Sequence, residues 1–152
     1  MQSTSRMELH EIESYLHNQI PLTRAMGLQV RSGEGGRLVL EAPLELNHNH
    51  LGTAFGGSLS ALATVAGYCF LWLQLGDPTA HVVIRDSAIR YFRPVRGPMR
   101  ATCHPPEPEA LATFLEQFQF KGKARASLRV TIDEDSATAV EFQGTFVAIR
   151  PR

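Results

Sequence analysis

One stretch of the chain concentrates residue types that could do chemistry. "NHNHLGTAFGGSLSALATVAGYCFLWLQL", residues 47–75, runs from asparagines and histidines through glycines into a long apolar segment. This combination suits three kinds of site: a metal centre, a phosphate-binding loop, or the lip of a pocket with a buried helix behind it. The neighbouring residues and their spacing separate these interpretations.

The histidines of this stretch do not form a metal-ligand pattern. His48 and His50 stand two residues apart, but a metal needs three or four converging ligands, and the other histidines show no ligand spacing with them. The glycines lack the Gly-Lys-Ser/Thr ending of a phosphate loop. Either histidine could serve as a general base, since imidazole titrates near neutral pH, although both belong to a loop that we expect to be solvated. We therefore expect a pocket lip, with no metal and no cofactor.

The glycine pair before the apolar segment could bind an oxygen that gains negative charge. Backbone N–H groups in the first turn of a helix have no helical partner, and the helix dipole adds partial positive charge there. Glycine lets a ligand approach the backbone closely. Gly57 is the first candidate and Gly56 the second. The structural alternative is that both glycines only permit a tight turn and close packing of the helix.

Arginines cluster in "RYFRPVRGPMR". The members of this cluster are Arg90, Arg93, Arg96 and Arg100. Arginine forms bidentate contacts with phosphate, so the cluster could bind the phosphates of a ligand or an acidic protein partner, or could be a solvated strand face. Nucleic acid is a weaker candidate, because fifteen basic residues balance fifteen acidic ones and no base-reading module is present.

The elements that position these residues follow from hydrophobic periodicity. Residues 7–20 have apolar residues every three to four positions, which predicts an amphipathic helix with a cap at Ser3 or Thr4 and an end at Pro21. "GLQVRSGEGGRLVLEAPLEL" predicts a hairpin around "SGEGG". Residues 55–75 are apolar nearly all round, which predicts a buried helix, and their longest apolar run is shorter than the ~20 residues of a membrane span.

The second half of the chain is predicted to form mainly strands. "HVVIRDSAIRYFRPVRG" and "PMRATCHPP" predict two strands joined near residues 95–98, and two alternating strands surround the turn "DEDSA". "EPEALATFLEQFQ" is ambiguous between helix and strand. The order predicts an α+β fold, one domain over residues 1–152, in which an antiparallel sheet wraps around a single long helix. Open sheet edges predict a homodimer, or a dimer of dimers.

Two of these segments carry a family resemblance. "ELNHNHLGTAFGGSLSALA" resembles the "N-x-x-G-T-x-H-G-G" segment that starts the central helix of hotdog-fold acyl-CoA thioesterases. "DSAIRYFRPVRGPM" resembles their strand that ends in "Y-x-x-P" and a basic turn. With the lead-in "IPLTRAMGLQV", about residues 8–150 are similar to the thioesterase-like domain that also forms the C-terminal half of some YiiD-type acetyltransferases. The resemblance implies a hotdog fold that hydrolyses an acyl thioester such as acyl-CoA.

The resemblance also implies roles for individual residues. Gly57 would stabilise the oxyanion, and Asn49 would position water or the acyl group, unless Asn49 only caps its loop through backbone hydrogen bonds. In a hotdog dimer, Asp86 would lie near the site as a partly buried general base, unless it pairs with Arg85 or Arg90 at a strand edge. Substrate-binding roles fall to Phe55, Gly56, Ser58, Arg90, Arg93 and Arg96.

Two positions depart from the family pattern. Thr64 stands where many thioesterases carry Asp or Glu, and could hold a water or bond back to its own helix. Phe55 stands where many carry His, which counts against a hydratase or dehydratase on the same fold. The missing helix carboxylate leaves open a module that binds an acyl thioester without turnover.

The cysteines and the N-terminal residues indicate the cellular compartment in which we expect the protein. Cys69 lies in the apolar run and Cys103 in a predicted strand, which disfavours a disulfide framework. The first residues contain no apolar signal region. We therefore expect a cytoplasmic protein without a membrane partner.

Overall fold

The apolar run in the middle of the chain folds as one long helix. The structure is a computed structural model that describes residues 7–152. Helices and strands are numbered in chain order, and this helix is α3 (Gly56–Leu75). Ten of its twenty residues are buried. By length and composition alone α3 could cross a membrane, but 56% of its apolar window lies inside the fold, as expected for a core helix.

Six antiparallel strands form one sheet against this helix. The strands are β1 (Gln29–Ser32), β2 (Leu38–Ala42), β3 (His81–Tyr91), β4 (Met99–His104), β5 (Lys123–Glu134) and β6 (Ala137–Ile149). Their order across the sheet is β1-β2-β4-β5-β6-β3. Both predicted hairpins are present, since β1 pairs with β2 and β5 pairs with β6.

Alternating residues give the sheet one apolar and one polar face. Leu128, Val130 and Ile132 of β5 are buried in the core, whereas Arg129 between them is exposed. The helix and sheet approach each other closely at Gly67, where an added Cβ would lie 2.5 Å from Cζ of the Phe146 ring. A larger residue at position 67 would push α3 away from β6. This is the predicted α+β architecture, a sheet wrapped around one helix.

The remaining helices differ in detail from the prediction. Helix α1 spans Leu9–Gln19, shorter than the predicted 7–20, and Glu8 rather than Ser3 or Thr4 precedes its first turn. Both predicted caps lie outside the described residues. Pro21 begins a further short helix, α2 (Pro21–Ala25), because proline fits the first position of a helix, where no N–H bond is needed. The ambiguous segment is helix α4 (Pro108–Lys121).

The strands β3 and β4 follow each other in the chain but are not neighbours in the sheet. β4 lies between β2 and β5, whereas β3, within residues 7–152, pairs only with β6 and forms an edge. The pairing of β3 with β6 shifts register between Ile84 and Asp86. This bulge decides which side chains of β3 face α3.

Candidate active site

The start of α3 presents backbone donors at the mouth of a cavity. The first intrahelical hydrogen bond runs from the Leu59 N–H to the Phe55 carbonyl, at 3.0 Å. The N–H groups of Gly57 and Ser58 precede it and have no helical acceptor. No side chain caps this end of the helix. The predicted donor position is therefore open to a ligand.

Phe55 lies directly over Gly57. A Cβ at position 57 would lie 2.4 Å from Cε2 of the Phe55 ring, whereas a Cβ at position 56 would meet its nearest neighbour, the Tyr91 ring, at 3.7 Å. A side chain at position 57 would therefore displace the Phe55 ring, which is 56% exposed. The Tyr91 hydroxyl donates a long hydrogen bond of 3.3 Å to the Gly56 carbonyl.

Two adjoining cavities open along α3. The smaller, of about 300 Å³, we call the entry pocket; it lies at the helix start. The larger, of about 850 Å³, we call the groove; it extends along α3 towards the beginning of β3. The two share Leu22 and Ala61 as lining residues. A ligand bound at the N-terminus of α3 could therefore continue into the groove.

The entry pocket contains a buried asparagine that the sequence analysis did not select. Asn47 is 4% exposed and lines the pocket with Gly57 and Ser58. Its Nδ2 donates to the carbonyls of Met26 at 2.9 Å and Pro43 at 2.7 Å, which fixes the amide plane. No hydrogen bond to its Oδ1 occurs within residues 7–152. Asn47 stands two residues before Asn49 in the sequence, and burial distinguishes the two side chains in the structure.

Asn49, the asparagine chosen from the sequence, holds the lip loop together. Its Oδ1 accepts hydrogen bonds from the N–H groups of Leu51 at 2.9 Å and Thr53 at 3.2 Å. Its Nδ2 donates to the Thr53 hydroxyl at 2.9 Å. Both ends of the amide are thus used inside the loop, and Asn49 does not line either cavity. The geometry corresponds to the loop-capping alternative.

Thr64 lines the groove, but its hydroxyl hydrogen is already used. The Thr64 Oγ1 donates to the Ser60 carbonyl at 2.9 Å, the back-bond expected of threonine inside a helix. The oxygen lone pairs remain available to a water. None of the described residues that line the two cavities is Asp or Glu.

The structure places Asp86 on the outer face of the sheet. Beyond the bulge it pairs with Thr145, whose hydroxyl bonds to that of exposed Ser127 on β5 at 3.1 Å. Directly paired residues share a face of the sheet, so Asp86 lies on the outer face, away from α3. It is exposed rather than partly buried, and no ion pair with Arg85 or Arg90 occurs among the residues described. In the single chain Asp86 is thus an exposed carboxylate on the outer face, and its predicted role as a partly buried base in a dimer stays a prediction.

The arginine cluster divides between two locations. Arg90 lies on the outer face of the sheet, opposite Glu141 in the register of β3 and β6. Arg100 lies 4.0 Å from a carboxylate oxygen of Glu41 on that same face. Arg93 and Arg96 are exposed on the loop after β3. That loop adjoins the pocket lip, because the Ala54 N–H donates to the Val95 carbonyl at 2.8 Å. Arg93 and Arg96 are therefore the two arginines beside the lip.

The lip histidines are exposed. A His48 ring nitrogen, Nδ1, donates to the Asn49 carbonyl at 2.9 Å, and His50 is likewise exposed. Within the described part of the chain, no group of three or more His, Cys, Asp or Glu side chains could hold a metal ion.

A six-stranded antiparallel sheet wrapped around one long helix is the hotdog fold, which the chain shares with a solved structure described as a putative thioesterase. The family model described as "Putative thioesterase (yiiD_Cterm)" matches residues 9–150. The chain belongs to this family. Family and fold together support thioester hydrolysis as the class of function.

Solved structures agree with this assignment. The chain is 33% identical to a protein of unknown function from Chlorobaculum tepidum TLS, with a TM-score of 0.85 over 93% of this chain and 94% of that one. It is 28% identical to a "putative thioesterase" from Shewanella oneidensis, with a TM-score of 0.82 over 94% and 97%. A "Probable Thioesterase" from Pseudomonas aeruginosa, 21% identical with a TM-score of 0.79 over 94% and 96%, shares the fold.

Proposed function

We propose that this protein hydrolyses an acyl thioester of coenzyme A. The observation that carries the proposal is the meeting of two features at Gly57: unpartnered N–H groups and the entry to a largely apolar groove. The reacting carbonyl would lie in the entry pocket and the acyl chain in the groove. Arg93 and Arg96, beside the lip, would contact the phosphates of coenzyme A.

The reaction needs an oxyanion site and a positioned water. A water oxygen forms a bond to the carbonyl carbon, and the carbonyl oxygen gains charge near the Gly57 N–H, where an aligned donor stabilises it. Collapse of this intermediate breaks the carbon–sulfur bond. The sulfur leaves as coenzyme A thiolate and takes up the proton lost by the water, which gives a carboxylic acid and a thiol. Asn47, fixed by its two backbone contacts, would orient the acyl carbonyl or the water through Oδ1.

Thr64, the residue that the sequence analysis named as a possible holder of the water, lies seven residues from Gly57. That is about 10 Å along the helix axis, too far for a water on its hydroxyl to reach a carbonyl bound at Gly57. The Thr64 Oγ1 lies on the groove and can still accept a hydrogen bond. Thr64→Val removes that oxygen at nearly constant volume, and we expect little change in kcat, whereas a fall of about tenfold would place the carbonyl farther along the groove. Asp86→Asn is the matched test of the other candidate base: loss of activity there, with Thr64→Val fully active, would assign the role of base to Asp86.

The glycine pair allows a sharp test of the carbonyl site. Gly57→Ala places a methyl group against the Phe55 ring, so we expect kcat/KM to fall at least tenfold, on the scale at which small misplacements in a site act. Gly56→Ala, one residue earlier, adds the same methyl group in ordinary van der Waals contact and serves as the control. Equal losses in both variants would refute this placement of the carbonyl.

Thiol release from acyl-CoAs of several chain lengths, followed with a chromogenic thiol reagent, measures the activity directly. The protein's own thiols should contribute little background. Burial raises the pKa of Cys69 to about 12 and that of Cys103 to about 12, and both side chains are buried. No thiol release with any substrate, despite measurable binding, would favour a different function.

That second function is a module that binds an acyl thioester without turnover. The absence of Asp and Glu from the described lining of both cavities favours it. Such a module should bind a thioester and its non-hydrolysable analogue equally tightly. Hydration of an enoyl-CoA, the third possibility considered, has weaker support, since the one histidine among the described lining residues, His81, is exposed and lies in the groove away from the helix start.

We also propose that two copies of the chain associate through β3, in a cytoplasmic homodimer that could pair again into a tetramer. β3 is an eleven-residue edge strand whose outer edge has no main-chain partner within the described chain. Val83, Tyr91 and Phe92 on or beside it are half exposed, at 52%, 50% and 55%. An exposed apolar edge of this length favours pairing with a second copy.

A further inference from the structure

Two tyrosines bring their hydroxyl groups together in the groove. Tyr15 of α1 and Tyr68 of α3 both line it, and their Oη atoms are 2.9 Å apart. We call them the tyrosine pair. The Tyr15 ring stacks on Trp72, with 4.0 Å between ring centroids and 12° between ring planes. The pair is thus held by side-chain contacts that leave little freedom to either hydroxyl.

The tyrosine pair has one hydrogen left to donate. Two phenol groups carry two hydrogens, and the bond between them uses one. Burial, followed by the hydrogen bond with Tyr15, raises the pKa of Tyr68 above its ordinary value, so this phenol stays protonated at neutral pH. The second hydrogen can therefore be donated to a third group that enters the groove.

Few other polar groups in the groove are free to bind a ligand. The Thr64 hydroxyl donates to Ser60, and the Thr79 hydroxyl donates to Asp77 Oδ1 at 2.7 Å. Gln19 and His81 are exposed. The rest of the lining is mostly apolar. The tyrosine pair is the half-buried polar feature that a chain lying along α3 would meet.

The tyrosine pair lies on the same stripe of α3 as the proposed carbonyl site. Gly57, Ala61, Thr64 and Tyr68 recur at three- and four-residue spacing, so they share one side of the helix. Eleven residues from Gly57 to Tyr68 correspond to about 16 Å along the helix axis. An extended chain advances roughly 1.2 Å per bond, so about a dozen bonds separate the two points.

We propose that the acyl chain preferred by this protein carries a hydroxyl or keto oxygen near its far end, which accepts the free hydrogen of the tyrosine pair. The inference rests on the proposed placement of the thioester at Gly57. A neutral oxygen fits better than a carboxylate, because no Lys or Arg is among the described residues that line the groove. A carboxylate buried there would lose its hydration without a cation to replace it.

Binding can be measured separately from turnover. Trp72 is the sole tryptophan of the chain and stacks on Tyr15, so its fluorescence should report occupation of the groove. The probes are thioether analogues of coenzyme A with a methylene between sulfur and carbonyl, which cannot be hydrolysed. Unmodified chains of eight to sixteen carbons, about the length estimated from the helix rise, are compared with chains that carry a hydroxyl on the penultimate carbon.

We expect the hydroxylated analogue to bind roughly tenfold more tightly than the plain chain of the same length, the worth of one net hydrogen bond. The preference for the hydroxylated chain should be largest at the chain length that places its oxygen at the tyrosine pair. Tyr68→Phe and Tyr15→Phe should each remove most of this preference. Tyr91→Phe is the matched control, because it removes a phenol at the helix start and should leave the ratio unchanged. Thermal melting checks that each variant is folded.

The outcomes separate this inference from the proposed function. Equal binding of plain and hydroxylated chains at every length, or a preference that survives both tyrosine substitutions, overturns the inference and leaves hydrolysis untouched. A preference abolished by Tyr68→Phe in a protein that releases no thiol supports the inference and rejects hydrolysis. No binding of any analogue rejects both.

Discussion

The two edges of the sheet are built in opposite ways. At the β1 edge, Glu13 of α1 accepts a hydrogen bond from the Val30 N–H at 3.0 Å, and His17 donates from Nε2 to the Leu28 carbonyl at 2.8 Å. Side chains of one helix thus satisfy main-chain groups at that edge and beside it. β1 is only four residues long; the Glu13 contact satisfies one of its outward main-chain groups, and the His17 contact satisfies the carbonyl just before the strand.

The β3 edge is nearly three times as long and has no comparable cover. Among the described residues, no side chain hydrogen-bonds to the main chain of β3, and Val83 and Ile84 remain exposed at 52% and 38%. An exposed strand edge normally carries charge, proline or a covering element. β3 carries charges at Arg85, Asp86 and Arg90, but it has no proline and no covering element among the described residues. The contrast indicates that the β1 edge is closed within the chain, whereas the β3 edge is left for a second strand.

The largest expected effect comes from placing a charge at the open edge. Val83→Asp should convert a dimer to monomers, because the aspartate would lose hydration when β3 pairs with a second copy, while in a single chain it stays exposed. We expect the dimer dissociation constant to rise at least a hundredfold, measured by sedimentation equilibrium. Phe120→Asp on α4, at a side chain 77% exposed, is the control and should leave the mass unchanged. A Val83→Asp dimer of normal affinity would contradict the pairing.

Removing the hydrogen bond that Glu13 makes to the β1 edge should destabilise the folded chain. Glu13→Ala leaves the N–H of buried Val30 without its partner, at a cost of about 1–3 kcal/mol in the free energy of unfolding. Urea denaturation measures the change. Glu11→Ala, on an exposed residue of the same helix, should stay within about 0.5 kcal/mol of the wild type. Similar losses in both variants would show that Glu13 does not protect the edge.

The second contact at the closed edge should have a smaller effect. His17→Ala removes the donor to the Leu28 carbonyl, and we expect a loss of about 0.5–1.5 kcal/mol, the net worth of a typical hydrogen bond. The double variant with Glu13→Ala tests whether the two contacts act together. A loss smaller than the sum of the single losses would show that α1 leaves the edge as a unit.

A histidine on a strand between the two edges predicts how the stability of the fold depends on pH. His104 of β4 shares a 2.8 Å hydrogen bond with the Thr131 hydroxyl. Burial lowers its pKa, and Arg129 and Arg37 lower it further. The unfolded chain therefore binds a proton at a higher pH than the folded chain, so stability is full above about pH 6.5 and falls as pH drops below that value. This slope in denaturant titrations should flatten in His104→Gln; an unchanged slope would assign it to other groups.

Local pattern predicted most of the elements of this fold. The apolar run at 55–75 became α3 at Gly56–Leu75, because a segment apolar on every side can only be buried. The polar turn "DEDSA" became the β5–β6 connection, in which Asp135 and Ser136 adopt left-handed φ values of 51° and 65°. These features depend on residues close in the chain, which any reader of the sequence can compare directly.

The candidate site was only partly predictable, for a specific reason at each residue. Gly57 followed from helix-end chemistry, which is local. The face on which Asp86 lies was not predictable, because the bulge after Ile84 changes which side chains face the helix and alternation alone does not reveal a bulge. Asn47 was passed over for Asn49 because only the packed structure shows that one is buried and the other is used within its loop.

The sequence by itself determined the long buried helix, the two hairpins, the open backbone donors at Gly57 and membership of a thioesterase family. Only the tertiary structure decided the strand order that puts β3 at an edge, the outward direction of Asp86, and the contact of Tyr15 with Tyr68 across 53 residues. Local preferences act within a few residues of chain. Edges, faces and distant pairs depend on how whole elements pack, and that is settled by burial of the entire core.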